Sequence, residues 1–246
     1  MRKDLKQTVS KILQVTQSLC CDGYARSARG GGRTLGSAAA FTLAEVLVTL
    51  GIIGVVSALT LPTLIQNHNK KIITTRLEKF YSTINQAILL SEQDKNIMRV
   101  DWHPSAFCSD GDRNNYSCTV KFFNEYLKNY IKYTKIENKD GILYVYFADG
   151  SAAYFTYFGQ DIYFFPKASK AELAQPKHGK DMFMFAFYPG GASGKRNEYF
   201  KNLGVEPYIE SNWDGTKEGL YNSCSNAAKI IQLNGWQIPD DYPCFK

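Results

Sequence analysis

A continuous apolar stretch over residues 41–65 most constrains what this chain can fold into. It reads FTLAEVLVTLGIIGVVSALTLPTLI, and Glu45 is its only charged residue. As a helix, the 21 residues from 41 to 61 span about 31 Å, which matches the hydrocarbon thickness of a bilayer. Because a soluble core helix is rarely apolar on all sides, we predict a membrane-spanning helix here.

Glu45 distinguishes this stretch from a plain membrane anchor. It lies one helical turn inside the apolar run, where an acidic group costs up to about 3 kcal/mol if it reaches mid-membrane. A buried charge is tolerated only when it is paired. We therefore interpret Glu45 as a functional residue with a charged partner.

Residues 40–62 resemble the processing signature of type IV prepilins and type II secretion pseudopilins. The signature is a small residue, then Phe-Thr-Leu-x-Glu, then an apolar run broken by proline; here these positions hold Ala40, Phe41 to Glu45, and Pro62. The resemblance implies that a prepilin peptidase cuts between Ala40 and Phe41 and methylates the new amino group. It also implies that Glu45 pairs with the Phe41 amine of a neighbouring subunit during polymerisation.

The same resemblance implies a structural subunit of a type IV pilus or a type II secretion pseudopilus. We do not predict an enzyme, because the sequence offers no catalytic geometry that we can nominate. Residues 1–40 are then a leader removed on processing, residues 41–65 the transmembrane and assembly helix, and residues 66–246 an extracytoplasmic globular domain. The implied partners are the prepilin peptidase, other pilin or pseudopilin subunits, and lipid of the bacterial inner membrane. The processed subunit would pass from that membrane into the fibre.

Two alternatives stay open, because the family usually has Gly where this chain has Ala40. A conventional secretory signal would have its hydrophobic region at residues 46–56 and its cleavage site after Ala58. A plain single-span anchor would not be cleaved. Either alternative describes a secreted or singly membrane-anchored binding module that acts alone, and the N-terminal sequence of the mature protein distinguishes them.

The distribution of charge argues against a nucleic-acid partner. Residues 1–40 hold seven basic and two acidic residues, a net charge of +5, which leaves +1 of the chain's +6 for the rest. A nearly neutral domain lacks the basic surface that nucleic-acid binding requires. The basic charge therefore belongs to the leader.

The cysteines predict disulfides rather than a metal site. Four cysteines follow the leader, and neighbours within the set are ten and twenty residues apart: Cys108, Cys118, Cys224 and Cys244. No CxxC pair is present, which disfavours a zinc site. Among three possible pairings we predict Cys108–Cys118 and Cys224–Cys244, formed in the oxidising space outside the cytoplasm.

Beyond the apolar stretch the patterns predict an α+β, pilin-like fold. Apolar residues recur at helical spacing between residues 73 and 88, so we expect the helix to continue and to pack this stripe on a sheet: Ile73, Leu77, Phe80, Ile84 and Ile88. Pro62 lies within the helical pattern and is predicted to kink it. The long helix would then cross an antiparallel sheet.

Strand patterns supply that sheet. Residues 141–148 and 151–158 form the clearest hairpin, joined at Asp149-Gly150, and residues 161–165 and 182–188 give further strands. Short helices are expected at about residues 120–133 and 223–232.

No catalytic or metal-binding residues stand out. Residues 110–114 resemble the start of a calcium loop, but the sixth and twelfth positions hold Asn115 and Lys121, where an EF-hand needs Gly and Glu. We interpret them as a solvated turn and assign no metal. The histidines show no metal-ligand spacing, and we predict no cofactor.

Overall fold

The computed structural model describes residues 42–102, 116–190 and 196–245. Contacts divide the chain into two compact units, one that ends at Gly54 and one that begins at Val55. Within the described residues, the first unit is helical from Leu43. The second holds the rest of that helix, a six-stranded sheet and several short helices.

Helix α1, Leu43–Lys95, is 53 residues long and contains Pro62 within a continuous helical assignment. The bend predicted at Pro62 stays a prediction. From residue 73 onward one face of the helix is buried, and this face contains the whole predicted stripe: Ile73, Leu77, Phe80, Ile84, Ala87, Ile88 and Ser91. The prediction that the helix continues past the apolar stretch and buries this stripe is confirmed.

The sheet is an antiparallel meander in which every strand pairs with its neighbours in sequence. Its strands are β1 Lys135–Lys139, β2 Ile142–Tyr146, β3 Ala152–Thr156, β4 Asp161–Phe165, β5 Phe183–Ala186 and β6 Glu206–Pro207. The predicted hairpin is present as β2 and β3, with Gly150 at a φ of +77° in the connecting turn. The α+β prediction is confirmed, since a long helix is followed by an antiparallel sheet.

Aromatic side chains fill the space between α1 and one face of the sheet. Phe80 of α1 stacks on Phe164 of β4 with ring centroids 4.4 Å apart, and meets Phe185 of β5 edge-on at 5.3 Å. Leu143 and Phe155 are directly opposed on neighbouring strands and are buried in the same cluster. Burial of each such side chain contributes about 1.5–3 kcal/mol, so this interface contributes substantially to the stability of the domain.

Helix α2, Tyr116–Tyr126, begins and ends earlier than the expected helix at residues 120–133. Its Phe122 and Phe123 are buried, and Trp102 stacks on Tyr126 at 4.3 Å. The helix ends early because the following residues turn and enter the sheet, where the Thr134 amide donates to the Tyr146 carbonyl. Pairing with the sheet therefore overrides the local helical pattern.

Strand β1 was not predicted, and it forms one edge of the sheet. Asp140 and Gly141 join it to β2 with φ angles of 50° and 77°, the left-handed pair that a tight hairpin turn requires. Three charged side chains alternate along it, and Glu137 forms ion pairs with Lys135 at 3.0 Å and Lys139 at 3.5 Å. The opposite edge is the two-residue strand β6, which ends at Pro207.

Three short helices complete the described chain: α3 Arg196–Phe200, α4 Lys217–Tyr221 and α5 Ala227–Leu233. Residues 224–226 form a 3₁₀ turn directly before α5, so the helix predicted at about residues 223–232 is present in this two-part form. Ala227, Ala228 and Ile231 of α5 are buried in the core.

Candidate functional site

The N-terminal part of α1 is apolar and exposed. An 18-residue window of α1 has a mean hydropathy of 2.1, and none of it is buried. Leu47, Ile53 and Leu59 are each at least 60% exposed. Among the described residues, α1 is the one helix long and apolar enough to cross a membrane.

Thr42 and Glu45 close the start of this helix with a reciprocal set of hydrogen bonds. The Thr42 amide and hydroxyl donate to Glu45 Oε2 at 2.8 and 2.9 Å, and the Glu45 amide donates to Thr42 Oγ1 at 3.3 Å. This is a capping box, which satisfies amides that have no partner within the helix. The Glu45 carboxylate therefore caps the helix of its own chain. We did not predict this capping role, although the Thr-x-x-Glu spacing is typical of a capping box.

The other residues of the predicted processing site lie outside the described residues. Ala40 and Phe41 precede Thr42, the first residue that the structure describes. The cut between them and the pairing of Glu45 with a neighbouring Phe41 therefore stay predictions.

The disulfide predicted between Cys224 and Cys244 is confirmed. The two Cα atoms are 5.7 Å apart, and the bond closes a 20-residue separation. Cys118 is also disulfide-bonded. Its predicted partner Cys108 lies outside the described residues, so that pairing stays a prediction.

A cleft of about 480 Å³ lies beside α1, immediately after the apolar segment. Four separated parts of the chain line it: α1 from Gln66 to Ile73, the segment after β4, the loop before β5, and Phe245 near the C-terminal end. Four lysines and one acid are among the lining residues: Lys70, Lys167, Lys170, Lys180 and Asp181. This cluster could not be predicted from the sequence, because its members are up to 111 residues apart and only the fold brings them together.

The lysines of the cleft differ in their partners. Lys170 forms an ion pair with the buried Asp181 at 3.0 Å, and Lys167 donates to Asn69 Oδ1 at 2.8 Å. The Lys70 ammonium lies 5.9 Å from the centre of the Phe245 ring, and Lys180 is exposed. Asp181 thus balances one of four positive charges, and the cleft carries a net positive charge.

The Cys224–Cys244 disulfide helps to shape this cleft. It fixes the C-terminal segment, and the next residue, Phe245, lines the cleft. Tyr242 donates a buried hydrogen bond of 2.7 Å to the Gly179 carbonyl, one residue before Lys180. A Cβ at Gly179 would lie 2.6 Å from the Cys244 Cβ, so only glycine allows this close approach.

Large shifts in pKa also occur in a hydrogen-bonded network away from the cleft. Burial, together with the Glu206 carboxylate, raises the pKa of Tyr81 and Tyr199 well above the usual range. Glu206 accepts from the Tyr81 hydroxyl at 2.7 Å and from Gln232 Nε2 at 3.3 Å. The network links β6, α1 and α5 through satisfied hydrogen bonds, which indicates a structural role.

The described residues contain no group of three or more His, Cys, Asp or Glu side chains arranged to hold a metal ion. The sequence 110–114, which resembles the start of a calcium loop, lies outside those residues.

Comparison with known proteins gives a family but no activity. No curated protein and no solved structure matches the chain significantly. Residues 63–245, about three quarters of the chain, match a family described as a family of unknown function (DUF6613), and the match begins directly after Pro62. Because the match covers more than half of the chain, the protein belongs to this family of unknown function, DUF6613.

Proposed function

We propose that the protein is a prepilin-like structural subunit of a type IV pilus or a type II secretion pseudopilus. In this proposal residues 41–65 anchor it in the bacterial inner membrane, and the sheet domain is extracytoplasmic. The observation that carries the proposal is that α1 has two different parts. The first part exposes apolar side chains and has one carboxylate, Glu45, in its first turn; the later part packs on a sheet.

The exposed apolar side chains of α1 are expected to lie in an apolar environment and not in water. Soluble monomers rarely expose apolar patches larger than a few hundred Å². Lipid covers such a helix before assembly, and the helices of neighbouring subunits cover it in a fibre. Gly51 and Gly54 support the second environment, since no heavy atom lies within 4 Å of a Cβ built at either position, and small residues let helices approach closely.

In this proposal, Glu45 sets the axial position of one subunit's helix relative to its neighbour's. Cleavage before Phe41 creates a positive amino group directly before Thr42. A carboxylate offers about four acceptor positions, so Glu45 can keep its hydrogen bonds to Thr42 and still pair with an amine from another subunit. The pairing removes the cost of an isolated charge in an apolar fibre core.

The alternative function is a secreted or singly anchored binding module. The capping box favours it, because hydrogen bonds to Thr42 give Glu45 a structural purpose without any neighbouring subunit. The two functions differ in their mature N-terminus and in the effect of removing the charge of Glu45.

The first test is co-expression of the full chain with a prepilin peptidase, followed by intact mass and N-terminal sequencing of the membrane fraction. We expect an N-methylated Phe41. A mature protein that starts at Leu59 would instead establish ordinary secretion, and an unprocessed chain would establish a plain anchor.

Two variants then separate capping from pairing. Glu45→Gln keeps the capping box, which accepts Glu or Gln, but removes the charge. Thr42→Ala removes the capping hydroxyl and keeps the charge. We expect Glu45→Gln to be processed but excluded from filaments, and Thr42→Ala to assemble. Normal filaments from Glu45→Gln would rule out the pairing and leave only the capping role.

A further inference from the structure

We infer that the lysine-lined cleft beside α1 binds the phosphate of an anionic phospholipid headgroup in the membrane leaflet next to the sheet domain. The inference rests on the membrane span in the proposed function, but it does not depend on cleavage or polymerisation. Its ligand is a phosphate diester carried on a glycerol and two acyl chains.

The position of the cleft along α1 matches the depth of the headgroups. The apolar run ends at Ile65, and Gln66 is the first cleft residue. Lys70 lies five residues beyond Ile65 on the same helix, which is about 7.5 Å at 1.5 Å per residue. The 25-residue apolar run is longer than the hydrocarbon is thick, so the helix tilts to bury it as far as Ile65. The headgroups extend about 5–7.5 Å further on each side, so the Lys70 backbone lies near their outer edge.

The charge of the cleft matches a phosphate. Asp181 is ion-paired with Lys170, while Lys70, Lys167 and Lys180 have no acidic partner among the lining residues. Lysine is a common phosphate ligand that acts as a point charge, and several such groups around one concavity favour a single anion.

The rest of the lining favours a lipid over free phosphate. Ile73, Pro166 and Phe245 add apolar surface to the same cleft. A glycerophospholipid carries its phosphate next to apolar acyl chains, so one molecule can contact both kinds of surface. Inorganic phosphate would use only the lysines.

The experiment uses the full chain in lipid nanodiscs, and the readout is the rate at which an amine reagent acetylates each lysine. Discs of phosphatidylcholine are compared with discs of equal parts phosphatidylcholine and phosphatidylglycerol, and a third sample adds inorganic phosphate to the neutral discs. Lys132 and Lys201 are exposed and lie outside the cleft, so they report the general effect of the charged surface.

We expect Lys70, Lys167 and Lys180 to react about fivefold more slowly in the anionic discs, after normalisation to Lys132 and Lys201. The double variant Lys70→Gln/Lys180→Gln should lose this protection at Lys167. It leaves the ion pair of Lys170 with buried Asp181 intact, so the fold is retained, and near-ultraviolet circular dichroism checks this. The matched variant Lys121→Gln/Lys201→Gln has the same change in charge at exposed lysines outside the cleft. Normalised to Lys132, it should keep full protection at Lys167.

Four results would overturn the inference. Equal slowing at Lys132 and Lys201 would indicate a general surface effect, and equal protection by inorganic phosphate would indicate a site for the free anion. No slowing in chains that stay in the disc would contradict the cleft alone and leave the proposed function intact. Chains that leave the disc would contradict the membrane span, and with it both proposals.

Discussion

The two parts of α1 share a backbone conformation and differ in what surrounds their side chains. Before residue 65 the leucines are exposed, as Leu59 at 72% shows; from residue 73 onward the stripe that faces the sheet is buried, as Leu77 at 0% shows. The first part is apolar on all sides, and the second is apolar on one stripe. The comparison teaches that one backbone conformation serves both parts, while the width of the apolar surface determines whether a part packs on the sheet or faces an apolar environment on all sides.

The largest effect is expected from a truncation in the buried part. Phe80→Ala removes a ring that packs on Phe164 and Phe185, and should lower the free energy of unfolding of the sheet domain by about 3–5 kcal/mol. Urea unfolding of the full chain in detergent, followed by near-ultraviolet circular dichroism, measures it. Leu59→Ala is the matched control in the exposed part and should leave the midpoint unchanged; equal losses would break the distinction.

A charge in the exposed part should act on membrane retention and not on folding. Ile53→Lys places an ammonium in the apolar run, at a cost of about 2.5–3.5 kcal/mol near the bilayer centre. We expect loss of protein from the carbonate-resistant membrane fraction and an unchanged unfolding midpoint. Glu78→Lys, on the exposed face of the later part, is the control and should be retained as the wild type is.

Loss of the Cys224–Cys244 disulfide should destabilise only the domain that contains the buried part. Cys244→Ser should lower the unfolding free energy by about 2–4 kcal/mol, because the unfolded chain gains freedom over a 20-residue loop. Thermal unfolding with and without reductant measures it. Membrane retention should not change, and a drop in retention would show that the two parts of α1 are coupled.

The smallest effect concerns the end of α1, where Arg99 donates to both oxygens of Glu92. Burial raises the pKa of Glu92, but the hydrogen bonds and charge of Arg99 outweigh it and lower the pKa below its ordinary value of 4.5. The pair therefore stabilises the fold above about pH 4.5, and this contribution is lost as the pH falls through the lowered value. Glu92→Gln should cost about 1–2 kcal/mol at pH 7.

The check is the difference in unfolding free energy between wild type and Glu92→Gln as a function of pH. It should shrink as the wild-type carboxylate becomes protonated. A difference that stays constant from pH 7 to pH 3 would show that the charge of Glu92 contributes nothing.

Periodic features were predictable from the sequence. The stripe from Ile73 to Ile88 shows helical spacing, and the hairpin around Gly150 shows strand alternation. Each pattern extends over many residues, so it does not depend on any one of them. The Cys224–Cys244 bond followed from an even set of cysteines and their spacing.

The features that were missed depend on few residues or on distant ones. Strand β1 reads Lys-Ile-Glu-Asn-Lys, which carries one apolar residue, and the turn at Asp140-Gly141 was its only strong signal. The capping box at Thr42 had a clear spacing, but it was obscured by the interpretation of Glu45 as a partner for another chain. The cleft lysines come from segments that only the finished fold brings together.

The two edges of the sheet limit how copies of this chain can join. Along β1 the alternating charges and ion pairs of Glu137 oppose the approach of another strand, and at β6 a two-residue strand that ends in Pro207 offers almost no free backbone. Growth by adding strand to strand, the route to amyloid, is therefore blocked at both ends. In the fibre that we propose, contacts between helices, and not pairing of sheet edges, would therefore hold the copies together.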